Sequence, residues 1–566
     1  MSTNFVSYFD YTHFPPVLPP LEGGRARRAR VTLVGGGPIG FTLVLALARH
    51  GIPSVVLEAD DSVCTGSRAG CITRRTLEIF EQLGIAAPCM EQGLPWHEGW
   101  SYHRDKPVLH MQYPPDAGSR FPALVNIQQC YVEQYMVDAI AALGDLVEVR
   151  WQNRLAAIRP GDAGCALEVE TPSGNYAMDS DWVVACDGAR SFVRSALGLR
   201  MEGTRYEARY VIVDIKMASS LPPGRRAWFD PPSNPGATLL LHKHKQDLWR
   251  FDYQLRDDED EAEAVKPENV LARVQSHLDL MGERAHWDPV WISTYRASAL
   301  TLGRYRHGRV LLAGDAAHLV PIFGVRGMNS GVDDAHNLAW KLAAVLRGDA
   351  GDALLDSYSD ERVAATRENI RNASKSAEFM DPPTPAFRLM RDAVLGLAET
   401  NEWVRPLIDW RASTAVGFPD SPLNVAGDEA QFAAGPAAGM NLPDARLQRD
   451  GRPGFLSDLL IGNAGPGFAA VVFAAPEDAN ITSKISHLSD FGDVFTTHRI
   501  APAGKAGAGD WADVHGEAAA RLDARPGTSY LLRPDGHVLG RWRSPDGVAM
   551  RGAIERCLRG NLHKGA

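Results

Sequence analysis

Val31-Thr32-Leu33-Val34-Gly35-Gly36-Gly37-Pro38-Ile39-Gly40 decides the fold. A short apolar run of strand character enters a glycine turn, and Phe41 to Ala48 continues as an apolar helix ending near Gly51. In Gly35-x-Gly37-x-x-Gly40 the first glycine permits the tight turn. The second lets a pyrophosphate approach the backbone, and the third lets helix and strand pack closely. Free N–H groups and the helix dipole at such a turn, with Pro38 opening the helix, favour a diphosphate. Pro53 introduces a second strand, Val55-Val56-Leu57-Glu58, whose terminal carboxylate suits the hydroxyls of an adenosine ribose. Alone, this βαβ unit is a weak dinucleotide signal.

Two further segments repeat the pattern of a buried strand followed by glycine. Trp182 to Cys186 leads into Asp187-Gly188-Ala189-Arg190-Ser191, and Val310 to Ala313 into Gly314-Asp315-Ala316-Ala317-His318. Asp187 reads either as backbone meeting a ligand or as a helix cap. Asp315, at a strand end, is placed to accept from a ribityl hydroxyl. Pro321 and Gly324 lie in an irregular loop, and Gly327-Met328-Asn329 opens a long helix. N–H groups at that helix start would stabilise negative charge on a reduced flavin. His318 reads as a packed neighbour of the site. The three segments together point to FAD.

At 566 residues the chain should hold two or three domains. Its formal net charge of −10 argues against a nucleic-acid partner. The basic run Arg25 to Arg30 reads as a solvated approach to the first strand. The acidic run Asp257 to Glu261 reads as a solvated loop or helix start and not as a metal site. Seven scattered cysteines, none in Cys-x-x-Cys, suit free thiols in a reducing compartment. No apolar stretch reaches the ~18 residues of a membrane span, so a cytoplasmic protein is expected.

Changes of texture divide the chain. Residues 1–29 form an irregular arm; 30–204 and 301–424 form the FAD-binding domain with its long helices. Residues 205–300 are rich in strands and read as a mixed-sheet substrate cover. Residues 425–566 form a separate C-terminal domain with a hairpin across Pro534-Asp535-Gly536. The fold class is α/β: a Rossmann-like βαβ domain, a mixed-sheet substrate domain and a C-terminal domain.

The three glycine segments, with Arg75-Thr76-Leu77-Glu78 and Asn337-Leu338-Ala339-Trp340-Lys341-Leu342, resemble the single-component FAD-dependent aromatic hydroxylases of the para-hydroxybenzoate hydroxylase fold. The layout is nearest to the phenol hydroxylase and 3-(3-hydroxyphenyl)propionate hydroxylase subgroup. The resemblance implies that Gly35, Gly37, Pro38, Gly40 and Glu58 bind the ADP half of FAD, that Arg68 and Gln129 contact the cofactor, and that Asp187 sits near the pyrophosphate. It implies that Asp315 binds the ribityl chain and that Pro321, Gly327, Met328 and Asn329 line the isoalloxazine. Where the family usually has Gly-Gly-Gln-Gly, this chain has Gly324-Val325-Arg326-Gly327. The C-terminal domain resembles a thioredoxin-like extension without redox cysteines.

The implied reaction is hydroxylation of a phenolic substrate with O2, through a flavin C4a-hydroperoxide. NAD(P)H is the transient electron donor, without a Rossmann domain of its own. A homodimer is an assembly the resemblance admits. Phenol hydroxylase has an aspartate base where this chain has Gly70. Candidate replacements lie in the cover sheet: His242, His244, Asp252 and Tyr253 as catalytic residues, with Arg250, Phe323 and Arg326 as substrate contacts. Alternation along a strand puts His242 with His244, and Arg250 with Asp252, on one face. Alternatives are a flavin oxidase or dehydrogenase on the same fold, a denitrating or dehalogenating hydroxylase, and a natural-product tailoring hydroxylase.

Overall fold

The computed structural model describes residues 5–113, 115–321, 323–408, 414–461, 467–475, 477–478, 484 and 486–559. Its organising element is a ten-stranded sheet in which Leu21–Glu22, Arg25–Ala26, Tyr176–Ala185, Ala29–Val34, Ser54–Leu57 and Val147–Arg150 lie in that order. Val310–Leu312 runs parallel to Tyr176–Ala185. Ala185 pairs with Val34 on one side and Leu312 on the other, so all three glycine segments leave the sheet at one edge, side by side. Strands here are near-continuous apolar runs because both faces are covered. One face carries the helix Pro38–Arg49, packed on Gly327–Arg347, with Leu43, Val44, Leu47 and Leu338 fully buried.

A second sheet has eight strands, ordered His318–Leu319, Trp287–Thr301, Glu202–Met217, Leu248–Gln254, Thr238–Lys243, Arg225–Phe229, Glu98–His103, Lys106–Gln112. It reaches beyond the 205–300 segment: Arg225–Phe229 pairs in parallel with Glu98–His103. Period-two alternation gives it two different faces. Val211, Val213, Leu239, Leu241, Trp249 and Phe251 form an apolar core roofed by the helix Pro267–Met281. Tyr210, Asp214, Arg250 and Asp252 point the other way, and Arg250 bonds to the segment before Arg75. The acidic run is absorbed locally: Asp260 caps a short helix, Glu259 pairs with Arg256 and Arg273, and Glu261 pairs with Arg296.

The C-terminal segment builds its own seven-stranded mixed sheet, with Phe495–Pro502 at its centre, Phe468–Phe473 beside it and the helix Gly547–Arg559 against it. The N-terminal arm is laced to both other units. The Val6 N–H donates to Pro289 O of the eight-stranded sheet (3.0 Å), Tyr11 Oη accepts from Gly66 N (3.4 Å), and Phe14 stacks on Trp151 with ring centres 4.3 Å apart. The basic approach run is exposed, as expected, with surface pairs between Arg25 and Asp179 and between Arg28 and Asp181. All seven cysteines are free thiols. Among the described residues, no helix is long and apolar enough to cross a membrane.

Candidate active site

At the common sheet edge the backbone is pressed together. Gly35 has φ +102°, and a Cβ there would lie 2.5 Å from Cys186 O; one on Gly40 would lie 2.1 Å from Gly35 O. Gly37, Gly188 and Gly327 differ: a Cβ on any of them would meet nothing within 4 Å. Each of these three positions leaves room for a ligand to approach the backbone. The helices Pro38–Arg49 and Gly327–Arg347 begin there without a side-chain cap. Intrahelical bonding in the second begins with Ser330 N to Arg326 O (2.8 Å), so the N–H groups of Gly327, Met328 and Asn329 have no intrahelical acceptor among the described residues.

Asp315 is exposed at this edge, yet surrounding protein raises its carboxyl by desolvation, as at the floor of a cleft. Glu58 Oε2 accepts from Gly36 N (2.5 Å) and Oε1 from Asp60 N (2.8 Å), bracing the turn. A carboxylate has about four acceptor sites, so room for ribose hydroxyls remains.

Three of the expected cofactor contacts also hold protein structure in place. Asp187 Oδ1 accepts from Ser191 Oγ (2.6 Å) and Oδ2 from Val193 N (3.0 Å), so the carboxylate serves the short helix Phe192–Ala196. Gln129 bridges Ala69 N and Glu133, holding the 64–70 segment. Asn329 Oδ1 accepts from Thr73 N and Thr76 Oγ1, and its Nδ2 donates to Cys71 O and Val325 O. That side chain clamps the loop to the Arg75-Thr76 helix, leaving only its backbone N–H for a ligand. Arg68 is exposed, and its carbonyl accepts from Arg250 Nη1 (2.6 Å).

The loop before the long helix is tightly held. Pro321 and Phe323 are buried, with Phe323 edge-on to Tyr210 at 5.7 Å, and Ile322 lies outside the described residues. Val325 has φ +62°, a left-handed conformation that a β-branched residue rarely adopts. Arg326 is buried, with Nη1 on Asn369 Oδ1 (2.8 Å). Its guanidinium is engaged with the helix Leu354–Met380 and does not stand in solvent. His318 is fully buried, its Nε2 2.6 Å from Asp334 Oδ2, which also accepts from Gly314 N (3.0 Å).

The eight-stranded sheet presents a buried polar cluster on the face opposite its apolar core. Arg250 Nε donates to Asp214 Oδ1 (3.0 Å), and His242 Nε2 lies 4.0 Å from Asp252 Oδ2. His244 sits one residue past its strand, held by its N–H on Leu248 O (2.7 Å). A Cβ at Gly70 would lie 2.8 Å from Arg250 Nη1 and 3.0 Å from His244 Cε1. The space that a longer side chain at 70 would take is therefore filled by these two residues.

Burial holds both imidazoles well below their ordinary value, with Arg225 and Arg250 adding to the effect at His242 and Arg250 at His244. Burial pushes the Asp252 carboxyl up to about 6, against the pull of Arg250. Two atoms of the cluster are buried without a hydrogen-bond partner: Asp214 Oδ2 and His244 Nδ1. Tyr253 does not join it. It lies on the opposite face in the apolar core, with Arg273 over its ring at 4.8 Å.

Sequence reasoning missed Asp214, although a lone acid inside the apolar run Tyr210 to Ile215 was a usable signal. It also missed Tyr8, whose hydroxyl takes a weak bond from Cys130 Sγ (3.8 Å) and feels the Asp214 charge. No local pattern marks that residue.

The family described as FAD binding domain matches residues 28–373. A 3-(3-hydroxy-phenyl)propionate/3-hydroxycinnamic acid hydroxylase of Mycolicibacterium smegmatis is 30% identical over 368 residues, which is 64% of this chain and 64% of that protein. The chain thus spans under two thirds of that relative's length. Among solved structures, the flavin-dependent monooxygenase PieE in complex with FAD and substrate superposes with TM-score 0.75 at 23% identity, covering 97% of this chain and 100% of that one. The p-nitrophenol 4-monooxygenase of Pseudomonas putida superposes with TM-score 0.59 at 27% identity, covering 68% and 96%. With more than half of its length matched, and with the glycine turns and uncapped helix starts arranged for a dinucleotide, the chain belongs to the FAD-binding-domain family.

Proposed function

We propose that this protein is an FAD-dependent monooxygenase that hydroxylates a phenolic ring at the expense of NAD(P)H and O2. One observation carries the reading: a buried cluster of neutral imidazoles and guanidinium groups, with unpartnered polar atoms, packs against the Arg68–Gly70 segment of the FAD-binding domain. FAD, when bound, would accept electrons from the nicotinamide and activate dioxygen for transfer of one oxygen atom. Gly35, Gly37, Pro38 and Gly40 would hold its pyrophosphate, Glu58 its ribose and Asp315 its ribityl chain. The backbone N–H groups of Gly327, Met328 and Asn329 would face the flavin ring.

The chain's own residues supply the rest. His242 and His244 are kept neutral by burial and so are free to accept the phenol proton; burial of the resulting imidazolium opposes that transfer, and the Asp252 carboxylate 4.0 Å from His242 would offset it. Removing that proton makes the ring more nucleophilic. The Arg250 guanidinium, anchored by Asp214, places positive charge near the resulting phenolate. Tyr210, Phe323 and Tyr295 form a dry wall that keeps water from the reacting centre.

The test is a panel of phenols, 3-hydroxyphenylpropionate among them, screened for stimulated NAD(P)H oxidation by the yellow protein. Product mass is read for one added oxygen. Stoichiometric hydrogen peroxide with no oxygenated product for any phenol would replace the reading with an oxidase.

A further inference from the structure

The motif Asn337-Leu338-Ala339-Trp340-Lys341-Leu342 has no role at the cleft, and the structure turns its polar members toward the C-terminal sheet. Asp535, at the tip of the hairpin between Ser529–Leu532 and Val538–Trp542, accepts at Oδ2 from Asn337 Nδ2 (3.0 Å) and Trp340 Nε1 (3.0 Å). Arg533 of the same hairpin donates through both terminal nitrogens to Glu361 (2.6 and 2.9 Å) and through Nη2 to Asp535 (2.5 Å). Glu361 also accepts from Lys341 Nζ (2.7 Å) and Asn337 Nδ2 (2.8 Å). Lys341, Glu361, Arg533 and Asp535 are all at most 2% exposed. Two carboxylates meet two cations.

The next residue in the chain, Arg362, starts a second buried cluster. Its Nε donates to Asp334 Oδ1 (2.6 Å) and its Nη2 to Ser330 O (3.0 Å). Asp334 Oδ2 then accepts from Gly314 N and His318 Nε2, fixing the loop that carries Asp315. Adjacent residues of one helix thus join the C-terminal hairpin to the cofactor loop. A second route is the helix Gly327–Arg347 itself, with its open N-terminus at the cleft and Asn337, Trp340 and Lys341 at the hairpin.

We propose that the Arg533–Asp535 hairpin is a positioning element of the FAD site, holding the Gly314–His318 loop and the Gly327 helix start through Glu361, Arg362 and Asp334. The proposal rests on FAD binding by residues 28–373 and not on any phenol being the substrate. Coupling of this kind is reciprocal: if the hairpin improves FAD affinity, FAD must stabilise the hairpin by the same factor. The contacts form a contiguous physical network, which is the form such coupling requires.

The experiment uses the full chain. FAD affinity is measured by flavin fluorescence for wild type, Asp535→Asn, Arg533→Met and Val471→Ala, the last a core substitution in the same C-terminal sheet away from the hairpin tip. Hydrogen exchange of amides 529–542 is compared in wild type with FAD bound and with FAD stripped. Expected are a rise of tenfold or more in the FAD Kd for the two hairpin variants, a Kd within twofold for Val471→Ala despite its lower Tm, and exchange at 529–542 slowed at least fivefold by FAD. Folded hairpin variants with wild-type Kd would overturn the proposal. So would a Val471→Ala Kd raised as much as theirs. If the hairpin variants do not fold, the exchange comparison decides alone, and FAD-independent exchange at 529–542 rejects the coupling.

Discussion

Two buried ionic clusters in this chain are built to opposite rules. Around Glu361, Lys341, Arg533 and Asp535 the charges balance and each of the four side chains has charged partners at hydrogen-bond distance. Around Arg250, Asp214, His242, His244 and Asp252 the bonding is incomplete: Asp214 Oδ2 and His244 Nδ1 have no partner. An unmet buried polar group costs about 1–3 kcal/mol. A fold tolerates that where a ligand completes the bonding. The first cluster joins domains; the second is prepared for something that arrives.

Breaking the closed cluster should produce the largest effect. Glu361→Gln leaves Arg533 and Lys341 buried beside a neutral group, and denaturant unfolding should show a loss of about 3–5 kcal/mol. A loss below ~1 kcal/mol would mean that the cluster is no stronger than a surface pair. In the open cluster the damage should fall on chemistry instead. Removing the proton acceptor, by His244→Ala or His242→Ala, should slow hydroxylation about 100-fold, roughly 2.7 kcal/mol of barrier, with FAD still bound. Unchanged turnover in both variants would remove the imidazoles from the mechanism.

Asp252 sharpens the contrast through pH. Its folded carboxyl titrates at about 6, above its ordinary 3.8. Between these values the native state keeps a proton that the unfolded chain releases, so stability falls as pH rises through the window. Above pH 6 the ionised carboxylate is a standing cost. Asp252→Asn should therefore stabilise the fold by about 3 kcal/mol at pH 8 and by almost nothing at pH 4, read from unfolding midpoints. The same gain at both pH values would contradict the assignment. The smallest effect is expected on the far side of the same strand, where Tyr253→Phe should leave turnover within twofold of wild type. A tenfold drop would mean that the two faces communicate.

The parts of this arrangement legible in sequence are those set by local chemistry. Apolar strands ending in glycine announced the sheet edge, and alternation placed Arg250 with Asp252 and, in effect, His242 with His244. The same alternation put Tyr253 on the opposite face, so that expectation was avoidable. Asp187, Gln129 and Asn329 were not decidable: spacing brings a polar group to the cleft but does not say whether its bonds are already taken by a cap or a neighbouring loop. Nor was the Glu361 cluster visible. Asn337 and Asp535 are 198 residues apart, and nothing local to either implies the other. The inclusion of Glu98–Gln112 in the substrate sheet is likewise a long-range pairing.

The two-faced eight-stranded sheet constrains how its polar face could change. Along Leu248–Gln254, odd positions belong to the apolar core and Arg250 and Asp252 to the cleft. Inserting or deleting one residue would swap those memberships, burying charge and emptying the core together. Drift toward a new substrate must therefore proceed by replacement in place, by changes two residues long, or by remodelling at strand ends such as His244. An engineer choosing library positions can leave every second residue of the sheet alone.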